Sequence, residues 1–137
     1  MYQASTASLA AIAAANSSFV EEAPSKLEGG HSHALFLKES ALPLQEDQQG
    51  MRTRVPTEIY HLHYAEGSTH CTLSCADAKI LIEKGWGERQ CLSGRVPGLP
   101  LNYVMMYAPR NEEEIKIHAM VVKAAVRYAV EGKEEIV

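Results

Sequence analysis

An α+β fold is predicted for this chain, built from a small antiparallel sheet with helices packed on one of its faces. Aromatic and branched residues alternate on both sides of a glycine-containing turn at Ala65–Ser68, which is typical of a β-hairpin. Two amphipathic segments with helix-capping residues follow the hairpin, the first after Ser74 and the second after Asn111. Because hairpin-linked strands are antiparallel, helices that follow them are expected to cover one face of their sheet.

The first part of the chain carries weaker signals. Residues 1–27 are rich in alanine and serine, and we expect a short helix or a loose arm that contributes little to the core. Residues 28–137 are expected to form a single domain, since a chain of 137 residues suits one hydrophobic core. Within them, His33–Ser40 is compatible with a strand and residues 42–50 read as a polar loop.

From residue 58 onward the pattern of elements is clearer. "EIYHLHY" and "THCTL" are the strands of the hairpin, and "CADAKILIEKG" is a short helix that ends at Gly85. The glycine- and proline-rich segment from Gly85 to Pro100 is expected to be a structured loop, and "LNYVMMYA" is a further strand. The last helix repeats buried positions along one face, at Ile115, His118, Val122, Ala125, Val126 and Ala129.

Composition and charge argue against several functional classes. Hydrophobic residues make up 46% and charged residues 22% of the chain, which is typical of a soluble globular protein. The net charge of -4 and the scattered basic residues argue against a nucleic-acid partner, and no apolar run approaches the roughly 20 residues that span a membrane. The odd number of cysteines argues against a disulfide framework and favours a reduced, cytoplasmic protein.

The hairpin concentrates three histidines, at His61, His63 and His70. If its turn pairs Tyr64 with Thr69, then His63 lies opposite His70, and side-chain alternation places all three imidazoles on one face. The other face is the more apolar one and is expected to be covered by the helices; it carries Tyr60, Leu62, Tyr64, Cys71 and Leu73. The histidines would then form a polar pocket wall, a facial site for zinc or iron, or an exposed or core-satisfied set.

Four short motifs resemble the small "luciferase domain" proteins of fungi and bacteria, over about residues 58 to 132. They are His61-x-His63, Gly67-x-x-His70, Gly85-Trp-Gly-Glu-Arg89 and Tyr107-Ala-Pro-Arg110. In this family the third motif usually continues His-Pro-Leu, whereas this chain has Gln90-Cys91-Leu92. A neutral amide thus replaces a titratable imidazole, which argues against proton transfer at that position. The family label does not itself imply light emission.

The resemblance, together with the replaced imidazole, suggests a repurposed member of the family: a cofactor-independent cyclase that performs an intramolecular Diels–Alder (4+2) cycloaddition on a hydrophobic terpenoid intermediate. Such a reaction needs a shaped apolar site and a hydrogen bond to a conjugated carbonyl, and one preorganised donor contributes about 3 kcal/mol. The expected catalytic residues are His61, His63, His70, Arg89 and Gln90. The expected substrate wall consists of Trp86, Tyr103, Met105 and Tyr107, while Val104, Met106 and Ala108 would face the core. No metal or other cofactor is expected.

Two other functional classes stay open at this point: a non-catalytic module that binds a small molecule, and a histidine-based metalloenzyme. Trp86 either roofs the substrate or plugs the core, and Arg89 either donates to a carbonyl or pairs with a neighbouring acid. A sheet of three or four strands would also gain from a second subunit, so a homodimer is expected.

Overall fold

The computed structural model describes residues 1–28, 30–41, 58–96, 99–130 and 136–137. The elements, in chain order, are α1 (Tyr2–Ala15), β1 (Val20–Pro24), β2 (His33–Leu37), a 3-10 helix (Glu39–Ala41), β3 (Glu58–Leu62), β4 (Thr69–Thr72), α2 (Cys75–Glu83), β5 (Gly87–Arg89), β6 (Tyr103–Met106) and α3 (Glu112–Ala129). The polar loop predicted at 42–50 lies outside the described residues. None of the described helices is long and apolar enough to cross a membrane.

Within the described residues, the strands form one six-stranded antiparallel sheet in the order β1-β2-β3-β4-β6-β5. The predicted α+β fold is therefore confirmed, with more strands than the three or four expected. Strand β1 lies in the predicted arm, and β5 lies in the segment predicted to be a loop. Because one chain supplies six strands, the need for a second copy to complete the sheet disappears. The homodimer stays a prediction, but completion of a small sheet no longer supports it.

The helices share one core with one face of the sheet. The predicted apolar face is confirmed there, because Tyr60, Leu62 and Cys71 are buried, as are Val104 and Met106 on β6. Tyr64 is the exception, since it lies beyond the end of β3 and is exposed. The helices contribute the remaining large members of the cluster, among them Leu9, Ile12, Leu81, Val122 and Val126.

Both predicted helix starts are confirmed by their capping hydrogen bonds. The Ser74 hydroxyl accepts from the Asp77 amide, and the Asn111 side-chain oxygen accepts from the Glu114 amide, each at 3.0 Å. These bonds satisfy amide groups that a first helical turn would otherwise leave without partners. On α3, His118 is buried as predicted; its Nε2 donates to the Tyr107 carbonyl at 2.9 Å, whereas its buried Nδ1 has no hydrogen-bond partner among the described residues.

The expectation that residues 1–27 contribute little to the core is wrong. A helix does form there, which was one of the two predicted alternatives, but it packs against α3 and buries Leu9, Ile12 and Ala13. Their spacing places them on one side of α1, where the small Ala13 permits close approach between helices. The buried Asn16 ties the end of α1 to Val137 through two hydrogen bonds.

Leu9→Ala is expected to lower the free energy of unfolding by about 2–5 kcal/mol, because it removes a fully packed side chain from the α1–α3 contact. Urea or thermal unfolding followed by circular dichroism measures the loss. Gln3→Ala on the same helix is the control, since Gln3 is exposed. Equal stability of the two variants would show that α1 is dispensable.

Candidate functional site

The three hairpin histidines meet on the sheet face opposite the helices. His61 is the cross-strand partner of His70, and their ring centroids lie 5.2 Å apart. His63 follows β3 and stacks on His61 at 5.1 Å with an interplanar angle of 8°, while its ring lies 4.8 Å from that of His70. The prediction that the imidazoles share one face is therefore confirmed. One ring nitrogen from each lies within 4.8 Å of the others.

The predicted register of the hairpin is wrong by two residues. His70 pairs with His61, not His63, and Thr69 pairs with Leu62, not Tyr64. The connection is longer than a four-residue turn, because the His63 carbonyl accepts from the Gly67 amide and the His63 amide donates to the Ser68 carbonyl. A shift of two residues along a strand leaves each side chain on its original face. The predicted clustering of the three histidines on one face therefore holds although the register was wrong.

Each imidazole is held through Nδ1 by an oxygen that can only accept a hydrogen bond. The three bonds are His61 to Glu58 Oε1 at 2.9 Å, His63 to Glu66 Oε1 at 2.8 Å and His70 to the Val104 carbonyl at 3.3 Å. Nδ1 therefore carries the hydrogen in all three rings. In the neutral form of each imidazole, Nε2 then holds a lone pair.

Glu58 is the buried anchor of this site. Burial acts to raise the pKa of its carboxyl, but hydrogen bonds from His61, the Lys26 amide and the Ser25 hydroxyl outweigh burial and lower the pKa. The Ser25 and Lys26 bonds measure 2.8 and 2.9 Å. A single carboxylate thus fixes both the orientation of His61 and the segment that follows β1.

The surroundings of Glu66 and His70 favour the charged form of the carboxyl and the neutral form of the imidazole, respectively. Hydrogen bonds to His63 and Ser68 lower the pKa of the exposed Glu66 carboxyl, which keeps it anionic near neutral pH. Burial, together with the adjacent His61 and His63, lowers the pKa of His70 to about 4. His70 is therefore neutral near pH 7, as expected for an imidazole that is shielded from water.

Glu28 joins the site although sequence reasoning did not select it. Its Oε1 lies 3.5 Å from His63 Nε2 and 3.8 Å from His61 Nε2. No local pattern connects Glu28 with the hairpin, because their proximity results from pairing of β2 with both β1 and β3. The hydrogen bonds of Ser25 and Lys26 to Glu58 bring the segment containing Glu28 over the histidines.

Two predicted wall residues lie beside the histidines. The Tyr103 ring stacks on His70 at 5.3 Å with an interplanar angle of 12°, and it is buried. Burial raises the pKa of the Tyr103 phenol, so the phenol keeps its proton. Met105 is the partner of His70 on β6, and it lies partly buried on the same face. Tyr103 and Met105 therefore form an aromatic and apolar border for the imidazoles.

The predicted donors of the glycine-rich segment are not brought to the histidines. Arg89 is exposed and pairs with Val104, so it lies on the face opposite His70. The Gln90 side-chain oxygen accepts from the Leu92 amide at 2.6 Å. Arg89 lies away from the histidines because β5 pairs with β6, which the sequence did not predict. Side chains alternate along β5, and this alternation sets the face on which Arg89 lies.

Two more predicted wall residues, Tyr107 and Trp86, lie apart from the histidines. Tyr107 is exposed, and its hydroxyl donates to Glu88 at 3.4 Å. Trp86 is partly buried and packs against the core cluster. Its backbone links α2 to β6, since its amide donates to the Leu81 carbonyl and its carbonyl accepts from the Tyr107 amide. The core-plug alternative for Trp86 thus fits its packing.

Trp86→Ala is expected to lower the free energy of unfolding toward the lower end of about 3–5 kcal/mol, because the indole covers the core only in part. Urea unfolding measures this loss, and Leu92→Ala is the control because Leu92 is exposed. Unchanged stability with weaker substrate binding would instead support the roof alternative.

The fold and the site define a small α+β domain in which the sheet face opposite the helices holds a carboxylate-supported histidine cluster. The model of the family described as "Luciferase domain" matches residues 56–125, and the chain belongs to this family. The three histidines lie within the matched region, whereas α1 and Glu28 lie outside it.

Curated relatives share a substantial part of the chain. A luciferase of Neonothopanus nambi is 39% identical over 103 residues, which is 72% of this chain and 39% of the relative. Luciferases of Armillaria gallica and Armillaria mellea are 36% identical over 104 residues, with the same shares. The chain thus spans about two fifths of the length of these relatives. No solved structure matches it significantly.

Proposed function

We propose that this domain catalyses an intramolecular Diels–Alder (4+2) cycloaddition in a hydrophobic, terpenoid-like substrate bound at the histidine face. The proposal is supported by family membership and by a resemblance to the norbornene-forming Diels–Alderase of sordarin-type diterpenoid biosynthesis. The observation that carries it is the convergence of three imidazoles and the Tyr103 phenol on one sheet face, separate from the helix-covered core.

The reaction makes modest chemical demands on the protein. Two σ bonds and one π bond form while three π bonds are consumed, and no proton, electron or leaving group departs. The protein must therefore hold the diene against the alkene and polarise a carbonyl conjugated to that alkene. Stabilisation of the oxygen's developing negative charge then lowers the barrier.

The residues of the histidine face have properties that suit these two tasks. The Tyr103 phenol keeps its proton, since burial raises its pKa, and it can donate a hydrogen bond to a carbonyl oxygen. The flexible Met105 side chain, beside the aromatic ring of Tyr103, adapts to an irregular hydrocarbon surface. His63 and Glu28 are partly exposed, so a ligand can approach the cluster from the hairpin end.

The experiment is a cyclisation assay with a substrate that carries a cyclopentadiene and an unsaturated carbonyl on one carbon chain. We expect the protein to raise the rate and to change the stereochemical ratio of the products. If rate and ratio both match the uncatalysed reaction, the cyclase proposal fails. Saturable binding without acceleration would then identify a small-molecule binding module.

The cellular compartment of the reaction is also a proposal. We propose that the protein acts in the cytoplasm, a view supported by the free thiols of Cys71, Cys75 and Cys91. Light emission is not carried over from the curated relatives, because the chain spans only about two fifths of their length.

A further inference from the structure

The interior of the histidine cluster brings two ring nitrogen atoms within hydrogen-bonding distance, although neither carries a hydrogen when both rings are neutral. His61 Nε2 lies 3.2 Å from His63 Nε2, and both rings carry their hydrogen on Nδ1 when they are neutral. Two lone pairs then face each other at hydrogen-bonding distance without a hydrogen between them. Such an arrangement is unfavourable unless a proton or a metal cation occupies the space that both nitrogens face.

We propose that His61, His63 and His70 bind one divalent transition-metal ion through Nε2, with Glu28 as the fourth ligand. In tetrahedral coordination with zinc–nitrogen bonds of about 2.0–2.1 Å, the ligand nitrogens are about 3.3 Å apart. The separation of His61 Nε2 from His63 Nε2 is 3.2 Å, close to this value, and Glu28 Oε1 lies 3.5 and 3.8 Å from His63 Nε2 and His61 Nε2. His70 Nδ1 is engaged with the Val104 carbonyl, which leaves Nε2 as its ligand atom.

The partners of Nδ1 support the same assignment. Histidines that bind metals usually donate their second ring hydrogen to a carboxylate or a backbone carbonyl, which fixes the tautomer and the ring orientation. All three rings have such a partner, and the partners are Glu58, Glu66 and the Val104 carbonyl. In a purely structural cluster, one imidazole would be expected to donate to the next. Here every Nδ1 hydrogen is directed to an oxygen outside the cluster.

The charges around the cluster also favour a cation. The carboxylates of Glu28, Glu58 and Glu66 surround imidazoles that have no negative charge of their own. A divalent ion would therefore neutralise the negative charge of these carboxylates close to the buried His61. An uncompensated charge is energetically costly in a buried environment.

A metal ion here would deepen the cyclase proposal, although its binding does not depend on that proposal. Three histidine ligands and a partly exposed Glu28 would allow a substrate carbonyl to displace the carboxylate. The ion would then act as the Lewis acid that polarises the carbonyl, whereas the Nδ1 hydrogens of the three rings are already directed to other oxygens. This inference replaces the sequence-based expectation of a site without metal.

The test is titration of untagged, chelator-treated protein with Zn²⁺ by calorimetry and with Co²⁺ by visible absorption. We expect about one equivalent to bind, with a Co²⁺ spectrum typical of four-coordinate geometry. His63→Ala should weaken Zn²⁺ binding by at least a hundredfold, and His63 suits the test because it is only partly buried. The matched control is His31→Ala, which removes an exposed imidazole outside the cluster and should bind as the wild type does.

Two carboxylate variants test the remaining parts of the site. Glu66→Gln should weaken binding by about tenfold to a hundredfold, as is usual when a partner of a ligating histidine is altered. Glu28→Gln should weaken it as well, whereas Glu21→Gln, at an exposed position of β1, should not. Circular dichroism of every variant verifies its fold.

The proposal is overturned if the wild type binds no stoichiometric Zn²⁺, or if His63→Ala and His31→Ala bind equally well. Unchanged affinity in Glu28→Gln would overturn the assignment of the fourth ligand. These measurements need no substrate, so failure of the cyclase assay would not affect them. Conversely, cyclisation that persists at full rate in chelator-treated protein without Zn²⁺ binding would retain the cyclase and reject the metal.

Discussion

Replacing His63 with alanine is expected to lower the cyclisation rate by about a hundredfold to a thousandfold while the fold survives. His63 lies at the open end of the cluster, 4.8 Å from His70 between ring centroids, and Glu66 fixes its orientation. Its loss would remove a preorganised group from the accessible end of the site. Single-turnover kinetics on the cyclopentadiene substrate measure the rate, and thermal unfolding verifies that the protein remains folded.

His31→Ala is the control for this variant, because it makes the same chemical change at an exposed position outside the cluster. Turnover within about twofold of the wild type is expected for it. Arg89→Ala provides a second comparison, since the sequence predicted a catalytic role for Arg89. A greater loss in Arg89→Ala than in His63→Ala would return the glycine-rich segment to the mechanism and contradict the location of the site.

Gly87→Ala is expected to lower the free energy of unfolding by about 3 kcal/mol or more, because β5 runs too close to β6 to admit a Cβ atom. A methyl group at Gly87 would lie 2.2 Å from the Met105 carbonyl oxygen, 2.8 Å from Leu81 Cδ2 and 2.9 Å from Met106 Cα. Two of these atoms belong to the backbone of β6, so relief would require the strands to separate. Urea unfolding measures the change.

Gly30→Ala is the matched control, since a Cβ atom there would meet no heavy atom within 4 Å among the described residues. A change of less than about 0.5 kcal/mol is expected for it. Equal losses in both variants would indicate a general cost of alanine in this chain and would contradict the close approach of β5 to β6. The structural role of Gly87 is therefore to allow the close approach of β5 to β6.

The features that could be predicted from the sequence depend on residues near one another along the chain. Ser74 and Asn111 each cap a helix through an amide three residues ahead, so the capping signal is complete within one turn. The common face of His61, His63 and His70 depends on alternation within two short strands joined by a turn. The family motifs lie in the same part of the chain.

The register of the hairpin shows where such reasoning ends. Pairing His70 with His61 or with His63 gives the same alternation of side chains, so the pattern could not distinguish the two. The register is set by the longer connection between the strands, in which the Gly67 amide donates to the His63 carbonyl. The sequence therefore predicted the sheet face of the three histidines but not the cross-strand partner of His70.

Only the tertiary structure decided which distant residues complete the site and the core. Glu28 reaches His63 because β2 pairs with both β1 and β3, and Leu9 is buried because α1 packs on α3. Arg89 was excluded from the site by the pairing of β5 with β6. By itself, the sequence determined the helix starts, the strand faces and the clustering of the histidines, since each is fixed by spacing along one segment. Contacts between segments depend on how the whole sheet and its helices pack, and no local pattern encodes that packing.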